Sequence, residues 1–184
     1  KCSIVVNGRT IEPYHDYNPE SIFSGVADKT GHRICFGWAN EIDAPITKAC
    51  DLGVAFLSVK LRDDEEVYLY PCEGMCFGHD EKGGKRVVRA KASVYGMPQS
   101  AARLTSQFNA QAAKVDCRPT KSDPNFYIMR KDGHQLMFPR HVDDMNPIVS
   151  TSEELYENLL ETLSKTFDIT ELDFNNGDRC LGME

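Results

Sequence analysis

No apolar run in the 184-residue sequence approaches the roughly 20 residues that a membrane-spanning helix needs, so a membrane partner is not expected. Positive charge is also short: 21 Lys and Arg stand against 28 Asp and Glu, a formal net charge of −7. That balance excludes a protein that coats nucleic acid by bulk charge, while leaving room for a local basic groove. No internal repeat, low-complexity tract or linker interrupts the chain. A signal-peptide pattern is missing too. The seven cysteines are odd in number and irregular in spacing, and are expected to be reduced thiols in an intracellular compartment. The first residue already reads as strand and an apolar pair lies close to the last, which suggests a segment of a longer polypeptide.

What the sequence does have is a centre. In Phe138-Pro139-Arg140-His141-Val142-Asp143-Asp144-Met145-Asn146, apolar residues lead in (Leu136, Met137, Phe138) and lead out (Ile148, Val149). Two strands therefore meet at a turn carrying adjacent aspartates. Neighbouring carboxylates repel, and ionising both is costly unless water or a cation compensates. Taken alone, a solvated hairpin tip explains the pair, because Asp is a common turn residue.

The elements around this centre alternate in type. Ile4-Val5-Val6 is β-like and stops at Asn7-Gly8. Residues 20–40 carry helical spacing, interrupted near Gly31. A strand runs from Ile46 to Asp51, residues 54–61 suit a short helix or turn, and Glu66 to Tyr70 alternates like a half-buried strand. Arg86 to Arg89 reads as strand, Ser93 to Pro98 as a turn-rich connector, and residues 99–115 as helix. A strand over residues 125–129 reaches the hairpin signal Lys131-Asp132-Gly133. Thr151-Ser152-Glu153-Glu154 reads as a capping box opening a helix with Leu155, Leu159, Leu160, Leu163 and Phe167 on one face. Strands near Phe167 and Cys180 follow. Strands and hairpins mixed with helices predict an α+β fold rather than a doubly wound sheet.

Asp51 ends its strand in Cys50-Asp51-Leu52-Gly53-Val54-Ala55-Phe56-Leu57. It could simply cap the short helix that follows. Carboxylates converging from separate strands are also what two-metal phosphoryl transfer needs, since Mg²⁺ prefers hard oxygen ligands. Asp51, Asp143 and Asp144 would form that cluster if their strands are neighbours.

Taken in order, these stretches are similar to the reverse transcriptase of copia-type LTR retrotransposons. The resemblance spans nearly the whole chain. It runs from Lys1 through Gly8, through Asp51 to Leu57, Glu66-Val67-Tyr68-Leu69 with Glu73-Gly74-Met75, and Ser93-Val94-Tyr95-Gly96-Met97-Pro98-Gln99-Ser100. It continues through Asp123-Pro124-Asn125-Phe126 and His141-Val142-Asp143-Asp144 to Cys180-Leu181-Gly182-Met183. It implies a right-hand polymerase fold, with fingers at roughly residues 1–45 and 60–92 and the remainder an antiparallel palm sheet packed on helices. Thumb and ribonuclease H would lie outside this segment.

The implied activity is RNA-directed DNA polymerisation with two Mg²⁺ or Mn²⁺ ions, acting on dNTP, a DNA primer and an RNA template. The family's catalytic acids match Asp51, Asp143 and Asp144, and the Leu52 carbonyl matches a further metal ligand. Phe56 matches the steric gate that selects deoxynucleotides, or is a core aromatic, or both. Gln99 matches the glutamine that contacts the incoming nucleotide; otherwise it is an exposed residue near a helix start. Lys1 and Arg9 are the triphosphate candidates. Lys85, Arg86, Arg89 and Lys91 would track template or primer phosphates, or form a solvated face. Leu181 and Gly182 fall near the primer grip. Integrase and ribonuclease H parts of a polyprotein are the implied partners, in a cytoplasmic particle or the nucleus.

The chain departs from the family at Ser3 (usually Arg), Cys72 (usually Pro), Met97-Pro98 (usually more basic) and His141 (usually Tyr). Pro139 and Pro147 enter strands that the family keeps regular, where each should remove a ladder bond or force a bulge. A degenerate or co-opted domain that binds nucleic acid or protein without catalysis is the alternative reading. Cys72, Cys76 and His79 have a compact zinc-like spacing but no local fourth ligand, so a loop with two free thiols is preferred. The acidic run Asp63 to Glu66 reads as a solvated face.

Overall fold

Alternating apolar positions lay down a sheet that is covered by helices on both faces. A computed structural model describes residues 5–7, 11–14, 17–42, 44, 46–61, 65–72 and 74–172. The elements are α1 (Lys29–Glu41), β1 (Ile46–Gly53), β2 (Tyr68–Leu69), β3 (Val88–Arg89), α2 (Ser100–Ala112), β4 (Arg118–Pro119), β5 (Phe126–Lys131), β6 (His134–His141), β7 (Asp144–Ser150), α3 (Glu153–Ser164) and β8 (Asp168–Leu172). Among the described residues, six strands form one antiparallel sheet in the order β4-β5-β6-β7-β1-β8, and β2 pairs with β3 in a separate ribbon. The chain is α+β, as its pattern predicts.

The two faces of the sheet are read directly from residue parity. Tyr127, Met129, Leu136 and Phe138 join Cys50 and Leu52 of β1 in a core with Leu104 and Phe108 of α2 and Leu155, Leu159 and Leu163 of α3. Phe126, Met137 and Val149 face the other way, onto Cys35 of α1. Aromatic rings fix the first core: Phe108 meets Tyr127 edge-on at 5.1 Å, and Tyr127 stacks on Phe138 at 5.1 Å. Leu159 and Leu163 are fully buried, while Leu160 is half-buried at the margin of the same stripe.

Strand β7 breaks the parity rule, and the reason is a bulge. Met145 and Ile148 share the α2–α3 core although they are three residues apart. Pairing with β6 slips by one residue between Met137↔Val149 and Arg140↔Met145, and pairing with β1 slips between Lys48↔Ile148 and Cys50↔Met145. In both ladders β7 carries the extra residue, which places the bulge at Asn146 and Pro147. The Arg140 N–H donates to Asn125 O on the β5 side at 2.8 Å. The N–H that Pro139 lacks would therefore have pointed toward β7, where the ladder is already open. The expected bulge forms, and one break absorbs both prolines. Regular pairing resumes beyond it at His141↔Asp144 and Asp51↔Asp144.

Local signals account for most of the remaining ends. Asp132 and Gly133 have φ of 51° and 79°, the paired left-handed residues of a type I′ turn. Three local expectations are corrected. The helix expected over residues 20–40 begins only at Lys29, where the Asp28 side chain caps Thr30 N–H; a 3₁₀ turn (Pro19–Ser21) and extended chain precede it. Gly31 does not break that helix. A Cβ there would lie 2.9 Å from the Phe126 ring and 3.6 Å from Pro139, so glycine lets α1 sit close on the sheet. Cap Ser152, not Thr151, opens α3, and the third position after it is Leu155, so no glutamate returns the bond. Thr151 instead accepts from Gln135 N–H at 2.9 Å.

The strands expected at residues 66–70 and 86–89 shrink to two residues each, because side chains such as Tyr68 and Tyr70 have no core to enter. The β-like run at residues 4–6 is not a strand in its described part; the Val6 N–H bonds Tyr95 O at 2.7 Å. The Cys180 strand lies outside the described residues.

The glycines of α1 make opposite predictions. Gly31→Val should destabilise by about 1–3 kcal/mol through overpacking against Phe126. Gly37, with nothing within 4 Å of a Cβ, should gain up to about 1 kcal/mol as Ala. Urea midpoints at constant slope check both signs.

Candidate metal and nucleotide site

Three carboxylates meet at one end of the sheet. Asp51 in β1 stands directly opposite Asp144 in β7, and Asp143 occupies the two-residue turn between His141 and Asp144. One ligand atom from each lies within 4.8 Å of the others, and all three residues are half-buried. Asp51 and Asp144 share the sheet face opposite Cys50, Leu52 and Met145, which are buried against α2 and α3. Like charges across a non-covalent pair repel, so this cluster is stabilising only with compensating positive charge. An all-oxygen set on a firm sheet suits a hard divalent cation. It is the one such group of His, Cys, Asp and Glu among the described residues.

The turn beneath the acids is unusual. Val142 has φ 56°, a left-handed conformation that is strained for a β-branched residue. Positive φ at the first turn residue alone is the type II′ pattern, which normally calls for glycine there. Leu52 N–H donates to Asp143 O at 3.0 Å, tying the turn to β1. Val54 just after β1 has φ 47°, a second left-handed β-branched residue, three positions beyond Asp51.

Phe56 lies in the 3₁₀ turn Ala55–Ser58, half-buried, with its ring edge-on to Tyr95 at 4.7 Å. The Tyr95 phenol is held above its usual pKa, by burial first and then by the charges of Asp143 and Asp51. Tyr95 thus links Phe56 to the acid cluster. Tyr95 lies within the Ser93–Ser100 motif, but nothing in the sequence ties it to Phe56, 39 residues earlier. Gln99 is buried, 6% exposed, not the exposed residue that its place near a helix start allows. Among the described residues its Oε1 has no hydrogen-bond partner, and Gln99 lines a pocket with Lys60, Glu65, Arg103, Ser106 and Gln107.

Lys85, Arg86, Arg89 and Lys91 are all exposed, along β3 and the loops at its ends. Arg89 pairs with Glu66 at 3.3 Å. Lys1, Arg9, Leu181 and Gly182 lie outside the described residues. Cys72 and Cys76 are exposed free thiols, whereas burial pushes the Cys35 and Cys117 thiols up to about 12 and Cys50 up to about 11. No described helix is long and apolar enough to cross a membrane.

The chain matches, over residues 1–184, the family described as Reverse transcriptase (RNA-dependent DNA polymerase). It belongs to that family. The chain is also 29% identical over 187 residues to the Retrovirus-related Pol polyprotein from transposon TNT 1-94 of Nicotiana tabacum. That alignment takes in 100% of this chain and 13% of the relative, so the reverse transcriptase segment spans a small part of that polyprotein. The resemblance to copia-type elements read from the sequence is borne out.

A divalent cation bound by the acids should stabilise the reverse transcriptase segment. At one hundred times its Kd the gain is about 2.7 kcal/mol, or roughly 5–10 °C for a domain of this size. Thermal unfolding with and without Mn²⁺ reads this, and Asp143→Asn should remove most of the shift.

Proposed function

We propose that this chain is the fingers–palm part of an RNA-directed DNA polymerase, with residues 1–45 and 60–92 as fingers and the remainder as palm. The observation that carries the reading is the convergence of Asp51, Asp143 and Asp144 within 4.8 Å in a chain of the reverse transcriptase family. The reaction is attack of a primer 3′-hydroxyl on the α-phosphate of a dNTP, with pyrophosphate leaving. Asp51 and Asp143 are the direct ligands for two Mg²⁺ or Mn²⁺, with Asp144 and the Leu52 carbonyl in support. Cations bound there supply a lowered hydroxyl pKa and screening of phosphate charge.

The chain's own part is positioning. Phe56, braced by Tyr95, closes the space where a ribose 2′-hydroxyl would sit. Gln99 offers an amide oxygen, unpartnered among the described residues, beside the start of α2 for contact with the incoming nucleotide. Lys1 and Arg9, which lie outside the described residues, are the candidates for triphosphate contact. Lys85, Arg86, Arg89 and Lys91 track the phosphates of template or primer without reading bases, and Leu181 with Gly182 supports the primer end. Integrase and ribonuclease H segments of the same polyprotein complete the machinery, inside the cell.

The second reading, a co-opted palm without catalysis, draws on Pro139 and Pro147 in strands that the family keeps apolar and regular. Primer extension by the full polyprotein-derived enzyme, with Mg²⁺ and with Mn²⁺, separates the two. We expect extension that depends on Asp143 and runs slower than about 1 s⁻¹, the low end for ordinary enzymes. A folded protein with neither extension nor metal-dependent stabilisation would establish the binding module instead.

Sugar selection gives a finer test. Phe56→Val should admit ribonucleotides while keeping part of the dNTP rate. Losing the Tyr95 contact should cost stability on the order of 1 kcal/mol, so incorporation ratios are to be compared in protein shown to be folded. Unchanged discrimination would leave Phe56 a core residue only.

A further inference from the structure

The strand leading into the acid turn carries a charge where its neighbours are apolar. Arg140 is 1% exposed, on the face of β6 turned to α2. Its Nη1 donates to Val142 O at 2.8 Å, and its Nη2 donates to Thr105 Oγ1 in α2. Thr105 in turn shares a hydrogen bond with Ser24 at 2.9 Å. The guanidinium lies over the Phe108 ring, 4.8 Å from its centroid, and 6.0 Å from that of Tyr127. Burial pulls its pKa below the usual arginine value; the charge of Asp143 is among the influences that pull it back.

A buried arginine is expensive, and an apolar residue of similar volume commonly serves stability as well or better. The contacts indicate what this one does. A strained left-handed valine persists only where its surroundings over-determine it. The residues 142–143 turn is gripped at two successive carbonyls: Val142 O by the Arg140 guanidinium, and Asp143 O by the Leu52 N–H. One grip comes from the helix side of the sheet and the other from β1. Between them they set the direction in which the Asp143 side chain leaves the backbone.

We propose that Arg140 is a positioning residue: it fixes the strained Val142–Asp143 turn so that the Asp143 carboxylate meets those of Asp51 and Asp144. The proposal rests on the reading of those acids as a metal-holding cluster. Arginine suits the task because its planar fork reaches Val142 O and Thr105 together, which a lysine ammonium does with less geometric control. The Phe108 and Tyr127 rings fix the plane of that fork.

The test is amide hydrogen exchange in the metal-free protein, so it does not depend on polymerase activity. Arg140→Met keeps the apolar stem and removes the fork. Leu52 N–H should lose protection roughly ten- to a hundredfold, the weight of one charge-assisted hydrogen bond, while core amides of Tyr127 and Leu159 keep theirs. Arg140→Lys should restore part of it. Thr105→Val, which removes the helix-side anchor together with its bond to Ser24, should give a smaller loss at the same amide and guards against a misfolded Arg140→Met. Mn²⁺ affinity, read by electron paramagnetic resonance, should fall in the same order across the three variants.

Unchanged Leu52 protection, or a uniform loss across the core, would overturn the positioning role. Selective loss at Leu52 with unaltered Mn²⁺ affinity would overturn the link to the acids. Should wild-type protein bind no Mn²⁺ at all, the metal-holding reading fails, while the exchange pattern still decides whether Arg140 sets the turn.

Discussion

Everything at the site depends on the antiparallel pairing of β1 with β7, which sets Asp51 opposite Asp144. Taken alone, that pairing is unfavourable, since like charges facing each other across a sheet destabilise it. The apolar face behind it holds it in place. Cys50, Leu52 and Met145 occupy adjacent positions on the same strands and are buried against α2 and α3. Local electrostatics and global packing disagree at this pair, and such conflicts in otherwise consistent sequences concentrate at functional sites.

The bulge in β7 makes that arrangement possible. Ile148 and Met145 both serve the helix-side core, which a regular strand of period two could not allow. Inserting one residue at Asn146–Pro147 re-phases the strand, so Met145 goes inward and Asp144 goes to the acid face. Without it, the last turn of the ladder would present the opposite residues. Pro147 in the bulge and Pro139 opposite it are therefore compatible with an ordered acid end, because the missing N–H groups coincide with a break already present.

What could be read from the sequence was what is encoded locally. The Lys131-Asp132-Gly133 turn, the stripe of α3 and the strand-ending Asp51 each depend on a few consecutive residues, and the family's motifs join the acids into one site. The start of α1 was misplaced because residues 22–28 also carry apolar side chains at helical spacing, and only tertiary packing draws them out as extended chain. Gly31 read as a breaker because its ring contact with Phe126 is nearly a hundred residues away. Arg140 is not legible in the sequence for the same reason: a lone charge in an apolar strand gains meaning only from Thr105, 35 residues earlier on a different element. Gln99 looked exposed by its place at a helix start, and the pocket wall that buries it comes largely from segments elsewhere in the chain.

Charge sets the remaining constraint. A chain of net charge −7 whose acids converge at one end of a sheet repels phosphates until that end is neutralised. In the reading proposed above, bound cations reverse the local sign, so nucleotide attraction depends on metal loading rather than on the protein's own field. The buried guanidinium of Arg140 adds positive charge from the opposite side of the sheet, where it cannot itself touch a phosphate. Under that proposal the exposed basic residues of the β3 segment would hold a strand backbone, with Arg89 already engaged by Glu66.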